Sequence, residues 1–535
     1  MGGGSKLLRL AAVVGLAAAT VVVTAPIASA APLCANDLGA HTLTVTPQNG
    51  GGMTIRANGI WLDANDVDCI QLNNINTVFI DMTPFPASRV TFDLSFGALA
   101  PGFTDEGNGT SEIEFQLLGM STGSSVKVIG TSSGDGIKLG RFVDHLNQTT
   151  VGQINLNALA EPSGQDADVT FQAFPDKVLV EPGGGNDTVA GTGAAALSGV
   201  FTLPIEITDT AGGEDHYTGG LGNDLIVDQL QSFVPDAWSG GAGTDTLQLG
   251  GGSGQVASIT LDDVANDGID CPGVSCAGAN AGADFENVTG GPANETIAGT
   301  AGANVLTGGG GTNVLQGLDG NDTLRANQQG VDDFNGGSGR DTLTFQDYSL
   351  GFGTTVTMDG QANDGLAGHQ TSNVRSDLEI VFGTTSSDVL TGNGRRNTFI
   401  GLSGNDQLFG KAGKDLLVPS DHDDTISGGK GLDTLSYKGN ILPLTISAAA
   451  GQASGNGFDT FTGIEQIIGG QGNDGYFGSA GNDVFKAGPG NDTLNGGTGN
   501  DSLYGQQGDD SFDGGDGTDT CAQGPGSGTV VNCEA

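Results

Sequence analysis

A nine-residue unit repeats six times without a break between Gly469 and Ala522, and it limits the fold more than any other feature of this chain. Position four of each unit is Gly (Gly472, Gly481, Gly490, Gly499, Gly508, Gly517), and position six is Asp (Asp474, Asp483, Asp492, Asp501, Asp510, Asp519). Position eight is apolar or aromatic: Tyr476, Phe485, Leu494, Leu503, Phe512 and Cys521. The first six residues can turn tightly, because glycine accepts positive φ. The last three alternate polar, apolar, polar, which makes a very short strand with one inward side chain. One inward residue in nine cannot build an ordinary core, so such units are stable only when stacked. Two units form one coil of turn, strand, turn, strand, and stacked coils give parallel sheets on either side of one apolar layer. The expected fold is all-β, a right-handed parallel β-roll or β-helix solenoid with a β-rich N-terminal region.

Stacking places every second Asp on the same edge. Asp474, Asp492 and Asp510 form one column, and Asp483, Asp501 and Asp519 form the other. Coils about 4.8 Å apart would hold these carboxylates in mutual repulsion. A hard cation relieves it, since Ca2+ takes about six to eight oxygens, carboxylate or carbonyl, at about 2.3–2.6 Å. The position-six Asp side chains are the expected charged ligands. Carbonyls of the glycine turns supply the rest, with Gly470, Gly472, Gly481, Gly488, Gly490, Gly497, Gly499 and Gly508 as candidates. The unit resembles the RTX nonapeptide repeat, a calcium-binding parallel β-helix motif. That resemblance implies calcium held between successive turns by the position-six Asp and by turn carbonyls.

The same pattern governs a second six-unit block that starts at Gly383, with Asp388, Asn397, Asp406, Asp415, Asp424 and Asp433 at position six. Its fifth unit, from Pro419, has lost its glycines but kept the phase. A weaker block begins at Gly290 and places Glu295, Asn304, Asn313 and Asp322 at position six. Asparagine keeps an oxygen but loses the charge, so the coil is expected to continue there with less hold on calcium. The pattern resumes with Asp341 in the unit from Gly336, and upstream the units carrying Asp224 and Asp245 fit it fully and Pro182 to Asp187 nearly. All of these Asp residues are candidate calcium ligands.

A larger period overlies the small one. Asp245-Thr246-Leu247, Asp341-Thr342-Leu343 and Asp433-Thr434-Leu435 each close a run of units. Each is followed by an alternating segment and then by an acidic–apolar strand: Phe285 to Val288, Leu378 to Val381, Ile464 to Ile467. Two of these segments contain Ala-Asn-Asp-Gly, starting at Ala265 and Ala362. The expected organisation is a leader over 1–30, a β-rich region over 31–182 and first repeats over 183–249. A larger coil over 250–289, repeats over 290–345 and a second larger coil over 346–382 come next. Six units over 383–437, a third larger coil over 438–468, six units over 469–522 and a disulfide-tied cap over 523–535 complete the chain. Region 31–182 reads either as continuous with the solenoid or as a separate small sandwich.

Lys6, Arg9, the apolar run Leu10 to Val23 and Ala28-Ser29-Ala30 have the form of a cleavable secretory leader, so the mature protein is expected outside the cell. No later apolar run is long enough to span a bilayer. A net charge of −44, with 62 acidic against 18 basic residues, argues against a nucleic-acid partner and fits anionic lipid poorly. Six cysteines suit an oxidising compartment. Their spacing suggests local bridges, Cys34–Cys69, Cys271–Cys276 and Cys521–Cys533, among about fifteen possible connectivities. Gly119-Met120-Ser121-Thr122-Gly123 matches a nucleophile elbow, but the segment after it reads as strand where that motif needs a helix. No H-E-x-x-H is present, and the five histidines share no ligand spacing. The expected function is that of a secreted, non-enzymatic calcium-binding protein whose folding is linked to calcium. An extracellular adhesin or matrix component that binds carbohydrate or protein is the first alternative. A β-helix enzyme acting on polysaccharide, with the repeats as an accessory module, is the second.

Overall fold

Strands in the repeats are short because only three residues separate one glycine turn from the next. Thr493–Asn495 and Ser511–Asp513 each turn one side chain inward, and Leu494 and Phe512 are buried while their neighbours stay at least partly exposed. The computed structural model describes residues 177–191, 201–210, 213–229, 236–250, 256–269, 279–327, 330–346, 351–366 and 372–534, with the backbone of short strands between residues 20 and 171. The leader (the backbone of Thr20–Thr24 excepted), the Gly119–Gly123 string, Cys34 and the Cys271–Cys276 loop lie outside the described residues. Among the described residues there is no helix, and parallel sheets of many strands make this an all-β parallel β-roll. The chain divides into two compact units, Met1–Gly252 with Leu261–Asn287, and Ser253–Thr260 with Val288–Ala535.

In the first unit a parallel ladder runs from Met53–Arg56 through Arg89–Asp93, Ser125–Ile129, Lys177–Glu181, Ile205–Asp209 and Leu225–Asp228 to Thr246–Leu249. The strands of this ladder that lie in 31–182 pair in parallel like the repeats, while Gly136–Val143 with Thr150–Asn155 and Met53–Arg56 with Gly59–Leu62 pair antiparallel. The inward row of this ladder includes Val126, Val128, Val178, Val180, Ile207, Ile226 and Leu247, all buried. A second parallel row joins Thr188–Ala190, His216–Thr218 and Ala237–Ser239, burying Val189, Tyr217 and Trp238.

The second unit repeats this plan. One ladder runs without interruption through Val305–Thr307, Thr323–Arg325, Thr342–Thr344, Ile380–Phe382, Thr398–Ile400, Leu416–Val418 and Thr434–Ser436. It continues through Gln466–Ile468, Val484–Pro489 and Ser502–Gln507 to Thr520–Ala522. The opposite ladder is broken at each larger coil by a three-stranded antiparallel meander. Thr354–Thr357, Ala362–Leu366 and Ser372–Val374 form one, and Thr445–Ser447, Gln452–Ser454 and Phe458–Thr462 form the next. The last strand of each meander lies on the block before it, and the first strand starts the ladder of the block after it. The Ala-Asn-Asp-Gly segment is explained by this turn. Asp364 is fully buried and accepts backbone N–H groups from Thr357 and Val374, which fastens both outer strands.

Stacking does not stop at Ala522. Thr529–Val531 pairs in parallel with Ser511–Asp513 and forms a further half-coil. Gly524 and Gly526 take positive φ there, in phase with the units before them, but Gly528 stands where position six would be Asp. The Cys521–Cys533 disulfide, with Cα atoms 5.9 Å apart, ties this half-coil down.

Candidate metal centre

Each position-six Asp sits where the turn enters the strand, side chain inward and shielded from solvent. Asp492, Asp501 and Asp510 are at most 1% exposed. One carboxylate oxygen is taken up by the backbone of the preceding coil on the same edge. Asp474 N–H donates to Asp492 Oδ1 at 2.8 Å, and Asp492 N–H to Asp510 Oδ1 at 3.0 Å. On the other edge Asp483 donates to Asp501 Oδ1 and Asp501 to Asp519 Oδ1, both at 2.8 Å. The same step links Asp388 to Asp406, Asp406 to Asp424, Asp415 to Asp433, Asp322 to Asp341 and Asp224 to Asp245. Asp187 N–H donates likewise to Asp215 Oδ1 at 2.7 Å. The columns drawn from the sequence are thus real rows of carboxylates, locked into register by main-chain hydrogen bonds.

The other oxygen has no such partner in most of them. Oδ2 of Asp245, Asp322, Asp341, Asp406, Asp415, Asp433, Asp492, Asp501, Asp510 and Asp519 is buried without a hydrogen bond. Burying a bare anionic oxygen is costly, and the carboxyl groups respond by holding their protons. Burial pushes Asp245, Asp406 and Asp492 up to about 7, with help from the neighbouring carboxylates Asp224, Asp388 and Asp474 respectively. Burial also pushes Asp322 and Asp415 up to about 6 and Asp424 up to about 8.

Carbonyl oxygens share the same space. A methyl group added to Gly496 would meet Asp501 Oδ2 together with the Gly514 carbonyl of the next coil. Gly410 stands in the same relation to Asp415 Oδ2 and the Gly428 carbonyl, and Gly317 to Asp322 Oδ2 and the Gly336 carbonyl. Carboxylate and carbonyl oxygens that converge without a donor are the ligand set of a hard divalent cation. Among the described residues no three His, Cys, Asp or Glu side chains form one cluster, so main-chain carbonyls must complete the shell. The residues therefore fit calcium, which would supply the positive charge that these oxygens lack.

Two kinds of turn alternate with position in the stack. In the first turn on each edge of a block, the carboxylate closes on its own turn. Gly470 N–H donates to Asp474 Oδ2, Ser479 N–H to Asp483 Oδ2, Thr384 N–H to Asp388 Oδ2 and Gly220 N–H to Asp224 Oδ2. Of these Asp residues, all expected as ligands, Asp474, Asp388 and Asp224 have both oxygens engaged by protein donors, and Asp483 has one, which reduces their need for a cation. Gly470, Gly472 and Gly481 belong to such closed turns. Later turns, apart from the one in which Ser420 N–H donates to Asp424 Oδ2, are open: positions two and four take positive φ, as at Gly488 (110°) and Gly490 (149°). Gly497, Gly499 and Gly508 share that geometry. Position two accepts it even without glycine, at Leu402, Lys411 and Gln506.

Some positions carry a built-in substitute for the cation. Asn313 Nδ2 donates to Asp332 Oδ1 at 2.8 Å and to the Gly310 carbonyl at 3.1 Å, bridging two acceptors as a metal would. Tyr476 Oη lies 3.2 Å from both Asp474 Oδ2 and the Ala487 carbonyl. Asp215, Asp236, Asp332 and Asp459 also stand in the columns, although the sequence reading passed over them. Asp332 was recoverable, since Gly330, Asp332 and Phe334 keep positions four, six and eight. Asp459 was recoverable in the same way, from Gly457, Asp459 and Phe461, whereas Asp236 has no glycine at position four. Of the histidines, His216 lies in the Thr188–Ser239 row and His422 replaces the position-four glycine with φ 85°.

No curated protein matches the chain. The family model of the RTX calcium-binding nonapeptide repeat matches residues 289–324, 328–344, 382–417, 420–436, 465–485 and 486–521. Between residues 289 and 521, where the rows of bare carboxylate oxygens are longest, this protein carries RTX nonapeptide repeats, which bind Ca2+.

Proposed function

We propose that this is a secreted protein whose repeats fold on calcium and then serve as a rigid structural or binding scaffold outside the cell. The observation that carries it is the run of buried Asp Oδ2 atoms without hydrogen bonds, each beside a main-chain carbonyl in the sites described above. Without a cation the stacked state must bury uncompensated charge or take up protons. With one, formation of the coil and neutralisation of the column become a single event. If each site has the affinity of extracellular calcium modules, with Kd of about 10⁻⁴–10⁻³ M, a tenfold excess of calcium contributes about 1.4 kcal/mol per site. A handful of coupled sites then matches the whole stability of an ordinary domain, about 5–15 kcal/mol.

Secretion rests on the leader-like N-terminus. Circular dichroism during chelation tests the coupling. The expected result is loss of β signal in EDTA and its return on adding calcium; an unchanged spectrum at pH 8 would overturn it.

A further inference from the structure

Four glutamates lie outside the unbroken runs of Asp-bearing units, one of them (Glu465) still flanked by Gly463 and Ile467 at positions four and eight, and each one ends a column of aspartates. Asp245 N–H donates to Glu286 Oε2 at 2.7 Å, Asp341 to Glu379 Oε2 at 2.9 Å, Asp433 to Glu465 Oε2 at 2.8 Å and Asp519 to Glu534 Oε2 at 2.7 Å. This is the step that joins Asp to Asp within a column, with Glu in place of the upper Asp. The first three glutamates come from the acidic–apolar strands of the larger coils and the fourth from the tail.

The Asp beneath each glutamate is fully buried, and its Oδ2 has no hydrogen-bond partner. A carbonyl accompanies the glutamate from two residues earlier in at least two cases. A methyl group on Gly428 would meet Asp433 Oδ2 and the Gly463 carbonyl, and one on Gly514 would meet Asp519 Oδ2 and the Asn532 carbonyl. Below Glu286 and Glu379 an Asp two residues earlier fastens the turn instead. Asp284 accepts N–H groups from Gly240 and Gly241, and Asp377 accepts one from Gly337.

We propose that Glu286, Glu379, Glu465 and Glu534 are calcium ligands, each supplying the upper carboxylate of the last site in its column. In the strand register Glu379 and Glu465 stand directly after Asp341 and Asp433 in the stack, where the next Asp of a column would be. Each larger coil, and the tail held by Cys521–Cys533, then closes a row of sites that would otherwise end in a half-built one. This inference rests on the calcium function of the repeats and adds glutamate ligands to the position-six aspartates.

The competing role is plain backbone capping, in which Glu only satisfies the N–H of the Asp beneath it. Glu→Gln separates the two, since the amide oxygen still accepts that N–H while the charge is lost. Calcium binding is measured by calorimetry on the full chain, comparing wild type, Glu465→Gln, Glu379→Gln/Glu465→Gln and Asp492→Asn. The expected result is one site lost, or weakened about tenfold or more, for each glutamate replaced, with the circular dichroism in saturating calcium retained. Unchanged stoichiometry and affinity in both glutamine variants, while Asp492→Asn loses a site, would overturn the proposal and leave capping. Absence of calcium binding in wild type would overturn the calcium reading itself. If the double variant does not fold, the single Glu465→Gln titration decides.

Discussion

Asp388 donates its backbone N–H to Asp406 Oδ1 at 2.8 Å, while Asp406 Oδ2, in the same buried carboxylate, has no partner. One oxygen holds the coils in register and the other demands a positive charge. Asp406→Asn keeps the first task and abolishes the second. In EDTA at pH 8 the variant is expected to be more stable than wild type, by on the order of 2 kcal/mol, because a desolvated charge is gone. In saturating calcium the order reverses, and wild type gains about 1.4 kcal/mol or more from the intact site. Urea unfolding in the two conditions checks this, and the same ranking in both would sink it.

Acid should stabilise the metal-free fold. Burial holds the folded-state pKa of Asp245, Asp406 and Asp492 near 7 and that of Asp424 near 8, against about 3.9 in an unfolded chain. The folded chain therefore binds more protons. Its proton-linked stability is fully present below pH about 4 and is lost as pH rises through about 6–8. Calcium competes with protons for the same oxygens, so the calcium-loaded protein should show the opposite trend over pH 5–8. Thermal melts with EDTA and with calcium across that range measure both slopes.

Gly490 and Gly481 both occupy position four but should respond differently to alanine. Gly490 has φ 149°, and a Cβ there would run into the Gly472 carbonyl oxygen. Gly490→Ala is expected to cost about 1–3 kcal/mol and to weaken calcium binding. Gly481 belongs to a closed turn, where a Cβ would meet only Ser479 Oγ at 3.6 Å. Gly481→Ala is expected to change stability by less than about 0.5 kcal/mol. Equal effects would mean that the two turns do not differ.

Leu494 is the single buried side chain of its strand. Leu494→Ala is expected to cost about 2–5 kcal/mol. Contacts in a stacked array reach mainly the adjacent coils, so hydrogen exchange should rise near residues 476–512 and remain unchanged near residue 399. Uniform loss of protection would show one cooperative block instead.

The sequence alone determined the unit, its phase and the chemistry of position six. Each nonapeptide carries its own turn, its own inward residue and its own carboxylate, and a local pattern survives in a linear reading. That is why Asp492, Asp501 and Asp510 could be placed in columns from spacing. Tertiary structure decided which carboxylates keep a bare oxygen. That depends on the neighbour a given turn stacks upon, and the meanders at 354–374 and 445–462 reset that neighbour. Asp474 and Asp492 are identical in the repeat, yet the first closes on Gly470 and Tyr476 while the second faces the next coil with one oxygen unpaired. The pairing of Asp433 with Glu465 likewise spans an inserted hairpin of variable length, so only the folded stack brings the two carboxylates together.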